Sequence, residues 1–188
     1  MGRSKAEAVE TRVALRVLTR SRMIDGTFTS RKPSLDASWG VQWGSDTSTF
    51  FYRLEDAAVA TFDGVGDGDT DGRRGLVAVG AEHILAAIVR DPTVALTTVD
   101  EYARHAKFTV AAGLHVGPFV CTGTVMFPSD PFEKPGSNAI LNRRILPVRD
   151  ATVRCVDPAV GLPDEQSALV FVHVTGLEAL ALNGASTG

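Results

Sequence analysis

Phe51-Tyr-Arg-Leu-Glu-Asp-Ala-Ala-Val59 and Ile145-Leu-Pro-Val-Arg-Asp-Ala-Thr-Val153 read as two versions of one segment, with Asp56-Ala57-x-Val59 falling on Asp150-Ala151-x-Val153. Nearly the same offset brings Leu76-Val-Ala-Val79 onto Leu169-Val-Phe-Val172, and upstream Gly26-Thr27 onto Gly123-Thr124. Three blocks in one order are the signature of an internal repeat. Each copy also carries an alternating run, Val13, Leu15 and Val17 in the first and Phe108, Val110 and Ala112 in the second. Apolar residues at period two predict half-buried strands. Ser4-Lys-Ala-Glu7 and Thr98-Val-Asp-Glu101 match the capping box, in which a hydroxyl and a carboxylate satisfy free amides at a helix start. Each copy is therefore expected to be a short helix followed by about five strands. Asp91-Pro92 separates them, because proline cannot continue a ladder.

The fold class expected is mainly β with short helices, built as two tandem five-stranded small barrels over residues 1–91 and 92–188. The late apolar segments Ile84-Leu-Ala-Ala-Ile-Val89 and Leu177-Glu-Ala-Leu-Ala-Leu182 lack the charges that protect exposed strand edges. They are expected to be covered, either by the other copy or by a neighbouring chain. The connections differ between copies: residues 30–48 and 63–75 in the first, 128–136 and 157–166 in the second. Variable loops on a shared scaffold are where specialised function sits.

With 44% hydrophobic and 22% charged residues the composition is that of an ordinary globular protein, and the net charge of −3 gives no global argument for nucleic acid or membrane. The charge is unevenly spread, since residues 1–32 hold eight Lys or Arg against Glu7, Glu10 and Asp25. Charges stand near the N-terminus where a signal peptide needs an apolar run, so a cytoplasmic protein is expected. Phe108 to Ser129 is uncharged and long enough to span a bilayer, but Gly113, Gly117 and Pro118 interrupt it and it reads as two strands. Cys121 and Cys155 lack metal-ligand spacing and read as free thiols, and the four histidines show no ligand spacing either.

Three constellations are candidate sites. Asp67-Gly-Asp69-Thr-Asp71-Gly72 is the opening of a calcium loop, with carboxylates at alternate positions able to converge on one hard cation. Its twelfth position, which should supply a bidentate Glu, is Ala78. Calcium is the only cofactor the sequence suggests. Arg12, Arg16, Arg20 and Arg22 have the opposite parity to Val13, Leu15 and Val17, a stripe able to track a phosphate backbone. Trp39 and Trp43 would share a face of an extended segment and could stack bases or anchor a partner.

A helix, five strands, a glycine in the second strand and the late segment Val77-Ala-Val-Gly80 with Ile84 resemble the Sm-like small barrel. The second copy adds Gly123, Asp130 and Leu141-Asn142, similar to the Asp and Asn of the first Sm motif. Residues 121–153 also resemble a small bacterial domain of unknown function, through Gly-Thr-Val, Leu-Asn and Leu-Pro-Val-x-Asp-Ala-x-Val. The Sm resemblance implies ring assembly by edge-strand pairing, and RNA held by an Asp/Asn pocket and an Arg-Gly pair. Val79 stands where that Arg belongs, before Gly80, so the resemblance extends to barrel geometry and stops short of the RNA pocket.

The function expected is a non-enzymatic binding or assembly module that meets a protein partner or its own copies through loops and edge strands. The alternatives are an Sm-like RNA-binding protein and a metal-stabilised accessory protein; no membrane partner is expected. For the acidic loop, affinity no tighter than about millimolar is expected, because the cage lacks its twelfth ligand. Thermal melts at micromolar free calcium and in chelator should coincide, and a shift of several degrees would reveal a tight site.

Overall fold

The computed structural model describes residues 10–30, 51–62, 74–128, 130–131, 145–158 and 162–187. Ten strands and one long helix follow in order: β1 (Thr11–Leu18), β2 (Arg22–Ser30), β3 (Phe51–Thr61), β4 (Arg74–Gly80), β5 (Ala86–Val89), α1 (Pro92–His105), β6 (Phe108–Val116), β7 (Phe119–Phe127), β8 (Ile145–Cys155), β9 (Glu165–His173) and β10 (Leu177–Thr187). All ten strands join one antiparallel sheet in the order β10-β6-β7-β8-β9-β5-β1-β2-β3-β4. The protein is mainly β, as the alternating runs predicted. The two five-stranded barrels are met only in this coarser form, because β5 pairs outward with β9 and, among the described residues, no pairing closes the sheet between β4 and β10.

The order contains the same five-strand sequence twice, β5-β1-β2-β3-β4 and β10-β6-β7-β8-β9. Register repeats with it. Leu15 pairs with Gly26 and Val89, and Ala112 correspondingly with Gly123 and Leu182. Asp56 on β3 and Asp150 on β8 occupy the same left-handed position, each with φ of 49°. Each lies beside an irregularity, between Asp25 and Thr27 in one ladder and between Thr122 and Thr124 in the other. Asp tolerates positive φ better than most residues, and bulges sharpen strand twist. Gly26 and Gly123 sit at these irregularities because the facing strand comes too close for a side chain. A Cβ on Gly123 would stand 2.7 Å from both the Arg149 carbonyl oxygen and Val148 Cγ1, and one on Gly26 2.9 Å from Leu54 Cβ.

The sheet encloses two apolar clusters, one led by Val13, Leu15, Tyr52 and Leu54, the other by Leu114, Phe127, Leu146 and Val148. The β5–β9 pair is the wall between them. Ala87, Val89, Leu169 and Phe171 face the first cluster, whereas Ala86, Ile88, Val170 and Val172 face the second. Both faces are buried along β5 and over residues 169–173 of β9, which explains why Ala86-Ala-Ile-Val89 and Leu169-Val-Phe-Val172 are continuous apolar runs instead of alternating ones. Of the two late apolar segments, the first is thus covered by the second half of the chain. The second, on β10, pairs with β6 alone among the described residues.

The helix begins earlier than the capping box predicted. Asp91 caps it, its carboxylate accepting from Thr93 N at 3.0 Å and Val94 N at 3.1 Å, with Pro92 at the first position where its missing N–H costs nothing. Thr98 lies inside the helix, and its hydroxyl donates to the Val94 carbonyl at 2.8 Å. An aspartate directly before proline is the stronger start signal. The other capping box, residues 4–7, lies outside the described residues. The segment Phe108 to Ser129 supplies β6 and β7, and no described helix is long and apolar enough to cross a membrane.

Gly123→Ala should lower stability by roughly 1–3 kcal/mol, the usual range for overpacking. Gly26→Ala should cost less, since its nearest carbonyl oxygen, that of Glu55, would stand 3.2 Å away where Gly123 meets the Arg149 carbonyl at 2.7 Å. Thermal melts of both variants check this ranking.

Candidate functional site

Phe51 at the start of β3 and Leu76 on β4 are 58% and 55% exposed. By register their counterparts are Ile145 on β8 and Leu169 on β9, because Glu55 pairs with Leu76 as Arg149 pairs with Leu169. Ile145 is half-buried and Leu169 is fully buried, both against the first cluster. The same positions are therefore covered on one edge and open on the other. Beside the open edge lies a cavity of about 460 Å³, lined by Arg20, Arg22, Phe51, Val77, Glu82 and His83 among others. Arg20 comes from the β1–β2 turn, whose Thr19 hydroxyl accepts from Arg22 N at 3.0 Å and fixes the reversal.

The corresponding hollow in the second half is filled. Leu85, 4% exposed, projects from just before β5 into the second cluster. Its two methyls lie 2.8 Å and 2.7 Å from where a Cβ on Gly117 or Gly176 would stand. Only glycine at both places leaves room for this plug. Leu85 is anchored by its backbone, donating to the Leu18 carbonyl at 2.8 Å and accepting from His173 N at 2.9 Å.

The arginine stripe does not form a free cationic face. Arg12 contacts Glu55 at 3.1 Å and Asp56 at 3.8 Å. Arg16, with its side chain 17% exposed, donates through Nε and Nη2 to Asp25 at 2.8 Å and 2.6 Å and through Nη1 to Glu165 at 2.7 Å. The Asp25 hydrogen bond holds its pKa above the already high guanidinium value. Arg90 adds a contact to Glu165 at 2.8 Å and a longer one to Asp25 at 3.7 Å. These four residues bridge β1, β2 and the end of β5 to the start of β9, so they join the halves of the chain. Arg20 lies 3.9 Å from Glu178 at the head of β10. Arg22 lines the open cavity.

Asp67, Asp69, Asp71, Trp39 and Trp43 lie outside the described residues. Cys121 is buried and its thiol is pushed up to about 12 by desolvation, whereas Cys155 is half-buried; both are free. Sequence reasoning did not single out Phe51, Leu76 or Glu165 as site residues, and it took Leu85 only as part of an apolar segment that would be covered, not as a plug. The signal for Leu85 was present, since it occupies an unbroken apolar run where the second copy has Glu178 in an alternating one. Exposure at Phe51 and Leu76 depends on which strand is outermost, and no local pattern reports that. Comparison with family models, with curated proteins and with solved structures finds no match.

Glu165→Gln should lower stability by roughly 1–3 kcal/mol, the range for losing charged hydrogen bonds from partly buried partners. Arg16→Ala combined with Glu165→Gln should cost less than the sum of the two single changes, as expected of side chains in one network. Denaturant titration of the cycle measures this coupling, and strict additivity would show that the bridge contributes nothing.

Proposed function

We propose that the chain is a non-enzymatic assembly module of two tandem Sm-like units, residues 1–91 and 92–188, that joins protein partners through its open sheet edges. The observation that carries this reading is the asymmetry of matched positions: Leu76 is 55% exposed on the open edge, whereas its register counterpart Leu169 is 0% exposed at the covered one. An outer strand with unpaired backbone groups and a large exposed aliphatic side chain is a template for another strand. The repeated strand order and the matched positive-φ aspartates support a duplicated unit. The RNA reading has less support, because Arg12 and Arg16 are paired with carboxylates.

In any complex the chain forms through this edge, the amides of residues 74–80 gain protection from hydrogen exchange relative to the dilute free chain. Leu76→Lys should abolish that gain while leaving protection of β9 unchanged, since a lysine on an edge deters strand addition. Exchange measured by mass spectrometry checks both. Complexes that leave β4 unprotected, or that form equally well with Leu76→Lys, would refute the edge as the point of contact.

A further inference from the structure

The two outer strands of the sheet are counterparts of the two strands that meet at its centre. β4 corresponds to β9, and β10 corresponds to β5, by the constant register offsets that match Leu76 to Leu169 and Val89 to Leu182. At the centre, β5 pairs with β9 through Ala86 with Val172, Ala87 with Phe171 and Ile88 with Val170. Carried over to the outer edges, the same geometry would set Ala179 of one chain against Val79 of another, Leu180 against Ala78, and Ala181 against Val77. One edge therefore has the form of a donor and the other the form of its acceptor.

Side-chain chemistry at the plug position distinguishes the two seams. In the central seam Leu85 enters a hollow bounded by Gly117 and Gly176, with Phe119 in the same cluster. On β10 the plug position is Glu178, which is exposed. At the open acceptor, the residues standing in the places of Gly117, Phe119 and Gly176 are Arg20, Arg22 and His83, and all three line the cavity of about 460 Å³. An apolar plug facing glycines has been replaced by a carboxylate facing two guanidiniums and an imidazole. Glu82, also lining the cavity, is turned toward His83 at 3.4 Å. Both sides of the contact have changed together, which is what complementarity between donor and acceptor requires.

We infer that the occupant of the β4 edge is a second copy of this chain, docked head to tail with its β10 along β4 and its Glu178 seated among Arg20, Arg22 and His83. This rests on the edge reading above and names its partner. The contact is heterologous, so each chain offers one donor and one acceptor.

A mixing experiment tests it with the full chain. Glu178→Arg alone places like charges at every outer seam, and so does Arg20→Glu with Arg22→Glu. Each variant by itself should associate at least about tenfold more weakly than wild type in sizing with light scattering. An equimolar mixture should regain association, since each chain then meets a partner of opposite charge at both of its ends. The in-chain contact of Arg20 with Glu178 at 3.9 Å is broken in both variants and is not repaired by mixing, so recovery reports the seam between chains. Leu76→Lys, folded by its melting profile, serves as a second variant: its intact β10 should pair with the intact acceptor of Glu178→Arg to give pairs and nothing larger, and it should stay apart from Arg20→Glu with Arg22→Glu, where both seams are damaged. A wild-type chain that stays monomeric across roughly a hundredfold range of concentration overturns the second copy as occupant, while leaving β4 open to a different protein. Self-association that survives Leu76→Lys and both charge variants overturns the edge reading itself, and variants that stay apart when mixed overturn the seating of Glu178.

Discussion

The structure depends on a short paired stretch, β5 and residues 169–173 of β9, that has no solvent face. β5 and β9 carry apolar side chains on both sides, and each side closes a different cluster. Such a wall restricts what can stand opposite what. Ala86 and Ala87 are small where Val172 and Phe171 face them across the ladder, and the phenyl ring of Phe171 supplies the volume that the alanine leaves. Charge within this stretch would have to be desolvated without a partner on either side. The ionic contacts are accordingly displaced to its end, where Arg16, Arg90, Asp25 and Glu165 meet at partial exposure.

Curvature is the second requirement, since a flat ten-stranded sheet could not enclose two clusters. The matched irregularities opposite Glu55 and Arg149, with glycine on one strand and a left-handed aspartate on the other, bend each half at the same place. Strand twist and bulges are the general means by which sheets curl. Here the device is used twice in identical register, which keeps the two halves congruent enough for β9 to receive β5.

Much of this was legible in the residues. The paired Asp-Ala-x-Val segments marked equivalent strands because a residue forced to positive φ and its facing glycine are hard to substitute. Val13, Leu15 and Val17 alternated because β1 has one buried face, and residues 84–89 did not alternate because β5 has two. The continuous run was an available sign of the central wall, but a short apolar run is equally consistent with a strand in any buried setting. Closure into separate barrels was read from resemblance, and the actual pairing turns on a choice between partners hundreds of atoms apart. The arginine stripe illustrates another limit. Parity placed Arg16 outside the first cluster, yet its acid partner Glu165 comes from the other half of the chain. The Thr98 capping box was outcompeted by Asp91-Pro92, since once a helix has begun an internal threonine has only its own backbone to bond.

The covalent link through α1 has a consequence for how the two kinds of seam respond to conditions. Because β5 and β9 belong to one chain, their pairing is an intramolecular event and is indifferent to dilution. A seam at the outer edges would have no such tether, and a carboxylate–guanidinium contact at its plug would weaken with ionic strength. A closed ring of these chains would therefore hold an even number of five-stranded units and alternate permanent joints with reversible ones. Salt would dissect it into pairs and never into single units.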